Sequence, residues 1–183
     1  ECHKRGVKEV LDAVFNHVSD KFAPFCDVLK HGKHSPYFNW FIVEGDYVNK
    51  SRTNYCCFAE CSYMPKLNTA NRELQRYLID VATYWIKNFD IDGWRLDVSD
   101  EVSHGFWREL RKAVKQLKPD AVLIGENWHN SESFLQGDQF DSIMNYAFTK
   151  QMMDFLVQKS TDEKTLAEKL IGLLMRYTDT TNN

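Results

Sequence analysis

Apolar residues recur at helical spacing in three stretches of the chain. Between Arg72 and Phe89, Leu74, Leu78, Val81, Ala82 and Trp85 share one face, and Asn71 is placed to cap the first turn. Phe106, Leu110, Val114 and Leu117 form a second stripe ahead of Pro119, and Leu166, Leu170, Leu173, Leu174 and Tyr177 a third. Ser160 and Glu163 have the spacing of a capping box ahead of this last helix. All three stripes read as core-facing surfaces. Shorter runs rich in β-branched residues alternate with them: GVKEVLDAVF, IDGWRLDV, AVLIGE and FDSIMNY. Strands alternating with helices predict a parallel α/β sheet. From Val18 to Asn68 the pattern is lost, because Pro, Gly, Asn, Cys and aromatic residues mix without a stable period. That segment is too long for a simple loop and predicts an inserted subdomain over 18–68, with strand-and-helix segments at 1–17 and 69–183.

Composition narrows the classes open to such a chain. The 183 residues are 43% hydrophobic, enough for one packed core, and no apolar run approaches the length of a spanning helix. A net charge of −3 with scattered Lys and Arg gives no basic stripe, so neither nucleic acid nor a membrane surface is expected as a partner. The first residues, ECHKRGVKEV, lack the hydrophobic centre of a signal peptide. Five cysteines, an odd number without regular spacing, favour reduced thiols and a cytoplasmic location. CCFAEC lacks the paired spacing of a zinc site, and the Asn49-Lys50-Ser51 sequon matters only in a secreted protein.

Each strand-like run carries polar residues towards its C-terminal end: Asp12, Asn16 and His17, then Arg95 and Asp97, then Glu126, then Asp141 and Asn145. This is where a (β/α) barrel places its chemistry. One helix and a return strand separate Asp97 from Glu126, so the two should top neighbouring strands, with carboxyls about 5 Å apart. A retaining glycosidase needs about that separation, one carboxylate attacking the sugar and the other donating a proton. Arg95 and Asp97 share a strand face, so the guanidinium is expected to hold Asp97 ionised and aligned. Glu126 is expected to sit in aromatic surroundings offered by Trp128 that favour its acid form. Taken alone, an Arg-x-Asp on a strand is more often an ordinary ion pair.

Four stretches together resemble the alpha-amylase family of glycoside hydrolases: DAVFNH (12–17), GWRLDVSDE (93–101), GENWH (125–129) and MPKLN (64–68). MPKLN, YFNWF (37–41) and GDQFDSIMNY (137–146) resemble the subgroup of neopullulanases, cyclomaltodextrinases and maltogenic amylases. The resemblance implies Asp97 as nucleophile and Glu126 as general acid/base. It places His17 and Arg95 in the subsite of the cleaved sugar, and Trp128, Glu101 and His129 among the substrate contacts, the first two on the leaving-group side. Asp12, supporting Arg95, and Asn16, bracing the inserted domain, would be structural. The implied substrate is an α-1,4-glucan such as maltodextrin, cyclodextrin or pullulan, and the implied assembly a homodimer. No cofactor is required; calcium is possible, since relatives that bind it use the position of Asn16. Ser99 and Asp100 stand where the subgroup usually has Ala-Asn.

The third catalytic carboxylate of the family, an Asp after Asn-His or Ser-His, has no match before Asn183. The resemblance therefore implies the central four strands of a partial (β/α)8 TIM barrel, with the remaining strands and both terminal β-domains outside the chain. The 183 residues alone are expected to be marginally stable and inactive. Two other readings compete: a non-catalytic barrel used for glucan binding or assembly, and a metal-dependent hydrolase. The scattered histidines, with no His-x-x-x-His spacing, count against the second.

Overall fold

The computed structural model describes residues 1–178, and the side chains of residues 1–175. Four strands form one parallel sheet in chain order: β1 (Val10–Val14), β2 (Gly93–Asp97), β3 (Val122–Gly125) and the two-residue β4 (Ser142–Ile143). The register places Asp12 beside Arg95, Val14 beside Asp97, and Leu96 beside Gly125. Among the described residues β1 and β4 each have one neighbour, as expected of part of a barrel. Gly93 keeps β2 and β3 close, because a Cβ there would stand 2.2 Å from the Val122 carbonyl oxygen.

Helices α2 (Arg72–Phe89) and α3 (His104–Leu117) connect β1 to β2 to β3 and pack against each other. Asn71 Oδ1 accepts from the Glu73 and Leu74 amides, both at 3.0 Å, and Ser103 Oγ accepts from Phe106 N. Leu74, Leu78 and Ala82 face the core as expected, but Ile86 is buried in place of Trp85, which is 38% exposed. The real face lies one position further round the helix. In α3, Phe106, Trp107, Leu110 and Val114 are buried, whereas Leu117 at its last position is exposed.

FDSIMNY is a strand over only two residues. Asn145 then caps a helix the hydrophobic pattern did not reveal, α4 (Tyr146–Leu156), by accepting from Phe148 N. The last helix, α5 (Glu163–Thr178), packs against α4 with Leu166, Leu170 and Leu173 half-buried. Leu174 is 67% exposed, so the third stripe only partly faces a core, and the side chain of Tyr177 lies outside those described. Asp162, not Ser160, starts α5: its Oδ1 accepts from Thr165 N at 2.7 Å, while the Ser160 hydroxyl donates to the Asp154 carbonyl.

Residues 18–68 hold a helix, α1 (Ala23–His31), short 3-10 turns, and isolated antiparallel bridges rather than a sheet. The segment returns to β1 through His17 beside Lys66, with Leu67 N donating to Asn16 O. Phe25, Val28, Trp40, Phe41, Tyr55 and Leu67 are buried in the same cluster as Phe15, Trp94 and Leu96. All five cysteines are free. At the N-terminal end of β2, Asp92 is buried and accepts from His3, Lys8, Lys118 and the Glu9 amide. Burial works to raise its pKa, but these four donors hold the carboxyl far below the usual range.

Candidate active site

Strand alternation on β2 sends Trp94 and Leu96 into the core, 3% and 0% exposed, and turns Arg95 and Asp97 to the opposite face. The same face of β1 carries Asp12 at the register position of Arg95. Arg95 Nη1 donates to Asp12 Oδ1 at 2.8 Å and to Asp97 Oδ1 at 2.5 Å. Its Nη2 lies 2.7 Å from Glu126 Oε1, and its Nε approaches the Met144 sulfur at 3.4 Å. Asp97 and Glu126 therefore converge on one guanidinium from the ends of adjoining strands, instead of pointing to different layers.

Glu126 follows β3 directly. Its amide donates to Leu96 O, and Ser99 N and Oγ both donate to its carbonyl, so the backbone is tied on both sides. Val98 adopts the left-handed region, φ 45°, which turns its amide onto Glu126 Oε2 at 3.0 Å. A valine rarely occupies that region, and strain of this sort concentrates where geometry serves a site. The Tyr146 hydroxyl donates to Glu126 Oε1 at 3.1 Å.

Two expectations about these carboxyls need correction. Burial raises the Asp97 pKa and outweighs the bond and charge of Arg95, with Glu126 and Asp12 adding to the rise. The guanidinium does not by itself hold Asp97 low, because three carboxylates share its single charge. Nor does Trp128 wall in Glu126. Its ring is 61% exposed and stacks on Tyr146, centroids 4.2 Å apart and planes within 7°, so the tyrosine stands between. The side chain of Glu126 is only 9% exposed, enclosed by Arg95, Val98 and Tyr146.

His17 stacks on Phe58 of the 18–68 segment, 4.5 Å between centroids and 2° between planes. Burial lowers its pKa against the opposing charges of Asp97 and Glu101. Glu101 pairs with Lys66 Nζ at 2.8 Å and accepts from Asn16 Nδ2 at 3.3 Å. Asn16 is 1% exposed, and its Oδ1 has no hydrogen-bond partner. Asp100 accepts from Trp128 N and faces His129 Nδ1, both at 3.1 Å, while the imidazole is 88% exposed. A cavity of about 480 Å³ lies on this side, lined by Phe58, Val98, Glu101, Trp128 and His129 among others.

Every site residue named from the sequence thus lies around one end of the sheet, but in three contact groups: Asp12, Arg95, Asp97 and Glu126; Asn16, His17 and Glu101; Trp128 and His129. Asp141 does not join them. It precedes β4, accepts from Leu123 N, and pairs with Arg111 and Lys115 of α3. Sequence reasoning missed Tyr146, Phe58 and Lys66 as neighbours of the site. Their only signal was position: Tyr146 inside GDQFDSIMNY, Lys66 inside MPKLN, and Phe58 inside CCFAEC.

Comparison with known proteins places this geometry. The family described as alpha amylase, catalytic domain, matches residues 1–182. A cyclomaltodextrinase of Geobacillus thermopakistaniensis (strain MAS1) is 50% identical over 177 residues, 96% of this chain and 30% of that protein. Neopullulanase 2 of Thermoactinomyces vulgaris is 49% identical over 179 residues, 97% and 30% of the two chains. A solved cyclomaltodextrinase superposes at a TM-score of 0.93 with 46% identity, over 98% of this chain and 31% of the other. The ligand-free cyclic alpha-maltosyl-(1-->6)-maltose hydrolase of Arthrobacter globiformis gives 0.91 at 41% identity, over 96% and 40%. The chain spans about 30% of the length of these curated relatives. Since the match runs from residue 1 to residue 182 and relatives are up to 50% identical over the aligned stretch, the chain belongs to the alpha-amylase catalytic-domain family of glycoside hydrolases.

Proposed function

We propose that the full-length protein performs retaining hydrolysis of α-1,4-glucosidic bonds in maltodextrins, cyclodextrins or pullulan, with glycosyl transfer as a second outcome, and that this chain supplies two of its catalytic carboxylates. The observation that supports it is the sharing of one guanidinium by Asp97 and Glu126. In the first step an Asp97 oxygen attacks the anomeric carbon. The glycosidic bond breaks, and Glu126 passes its proton to the departing oxygen. The product is a glycosyl ester on Asp97. In the second step Glu126, now ionised, takes a proton from water or from a sugar hydroxyl, which displaces Asp97 and restores both carboxyls. A proton on Glu126 at the outset removes one of the charges that push Asp97 upward, leaving Arg95 to stabilise the attacking carboxylate.

His17, on its Phe58 platform, and Arg95 would hold the sugar being cleaved; Trp128, Glu101 and His129 would meet the leaving portion. No step of this reading requires calcium. Asn16 Oδ1 is unpartnered, but its neighbour Glu101 is taken by the Lys66 ammonium. The reading extends to a cytoplasmic homodimer. A 45% identical relative from Bacillus subtilis (strain 168), named intracellular maltogenic amylase, supports the location, and no described helix is long and apolar enough to cross a membrane.

The test uses the full-length protein and a 5-fluoro-α-glucosyl fluoride, which forms the ester quickly and releases it slowly. Peptide mapping should find the sugar on Asp97, and Asp97→Asn should abolish turnover. Label on another residue, or near-normal turnover by the variant, would overturn the assignment. Binding of glucan without any reducing ends released would favour the non-catalytic barrel.

A further inference from the structure

The two oxygens of the Glu126 carboxyl are not equivalent. Oε1 faces two donors, Arg95 Nη2 at 2.7 Å and the Tyr146 hydroxyl at 3.1 Å, whereas Oε2 faces one, the Val98 amide at 3.0 Å. A proton on Oε1 would face the guanidinium charge and the Tyr146 hydroxyl hydrogen, whereas Oε2 meets one donor and keeps a lone-pair site free. We propose that Tyr146 is a positioning residue for acid catalysis: with Arg95 it occupies Oε1, and the proton passed to the leaving oxygen is carried on Oε2. This rests on the glycosidase reading above and adds to it which atom does the transfer and which tyrosine enforces it.

Tyr146 is well fixed for that task. It is the first residue of α4, whose cap Asn145 orders the turn, and its ring lies flat against Trp128. The Met144 sulfur contacts both the Tyr146 hydroxyl, at 3.9 Å, and Arg95 Nε, so both donors to Oε1 meet at one residue. Burial, then the bond to Glu126, raise the Tyr146 pKa, with Arg95 opposing; the phenol remains a donor at neutral pH. Trp128 lines the cavity on the leaving-group side of the reading, so a sugar stacked there would press through Trp128 on the tyrosine that aligns the acid.

The experiment compares Tyr146→Phe with wild type in the full-length protein on two substrates. Maltotriose leaves as a sugar alkoxide and needs the proton; α-maltosyl fluoride leaves with little help from one. The variant is expected to lose roughly 10- to 100-fold in kcat/KM on maltotriose, mainly in kcat, and less than about threefold on the fluoride. Equal losses on both substrates, or no loss on either, would overturn the proposal while leaving the glycosidase reading intact. A wild type inactive on both would instead remove that reading. Phenylalanine keeps the stack on Trp128, so the melting temperature should stay near that of wild type. Tyr146→Met, which drops hydroxyl and stack together, must show the same split and serves if the first variant fails to fold.

Discussion

Replacing Arg95 by lysine keeps the charge and removes the planar fork. The fork makes three ion pairs, of which the one to Asp12 is worth little, since that carboxylate is 59% exposed. The other two reach Asp97 and Glu126, whose side chains are 21% and 9% exposed, from an arginine that is 25% exposed. A hydrogen bond to a charged group contributes about 1.5–3 kcal/mol net. A lysine ammonium is a point donor on a flexible stem and can serve one of the two carboxylates well, not both at once. Loss of one such bond, with some loosening of the second, is worth about 2–4 kcal/mol at the transition state. That corresponds to roughly 30- to 1000-fold in kcat/KM. The assay is reducing-end release from maltotriose by the full-length Arg95→Lys protein, with thermal unfolding measured beside it. Since the positive charge remains, the melting temperature should stay within a few degrees of wild type. A variant that folds normally and keeps kcat/KM within threefold would refute the claim that one guanidinium aligns both carboxyls.

Asp92→Asn should cost about 2 kcal/mol of stability at pH 7, read as a fall in melting temperature, because His3, Lys8 and Lys118 lose a buried counter-charge. The folded-state pKa of Asp92 is depressed, so its contribution is present above the unfolded carboxylate range and lost as pH falls towards the folded value. The gap between wild type and variant should therefore narrow below about pH 4; a gap that widens in acid would contradict this. Prolonged chelation should leave the rate of the full-length enzyme unchanged, because Lys66 already neutralises Glu101 beside Asn16. Activity lost to a chelator and restored by calcium bound at Asn16 would show that assignment to be mistaken.

The sequence by itself determined whatever depends on neighbours a few positions apart. Helical period set α2 and α3 to within a residue or two, and Asn71 was legible as the cap of α2 because it bonds to amides two and three positions ahead, whereas the Ser103 cap of α3 came only with the structure. Period-two alternation placed Arg95 and Asp97 on one face, and the length of one helix with its return strand placed Glu126 beside them. Tertiary structure alone decided what those groups touch. The approach of Tyr146 to Glu126 depends on how β4 pairs with β3, and the burial that raises Asp97 exists only once the chain has folded around the sheet. Asp141 looked like a member of the site because it lies in a strand-like run. Where that strand starts, set by pairing to β3, put its carboxylate on Leu123 N, Arg111 and Lys115. Local pattern encodes which way a side chain leaves the backbone, whereas its partner, and hence its charge, depends on chain segments that meet only when the sheet forms.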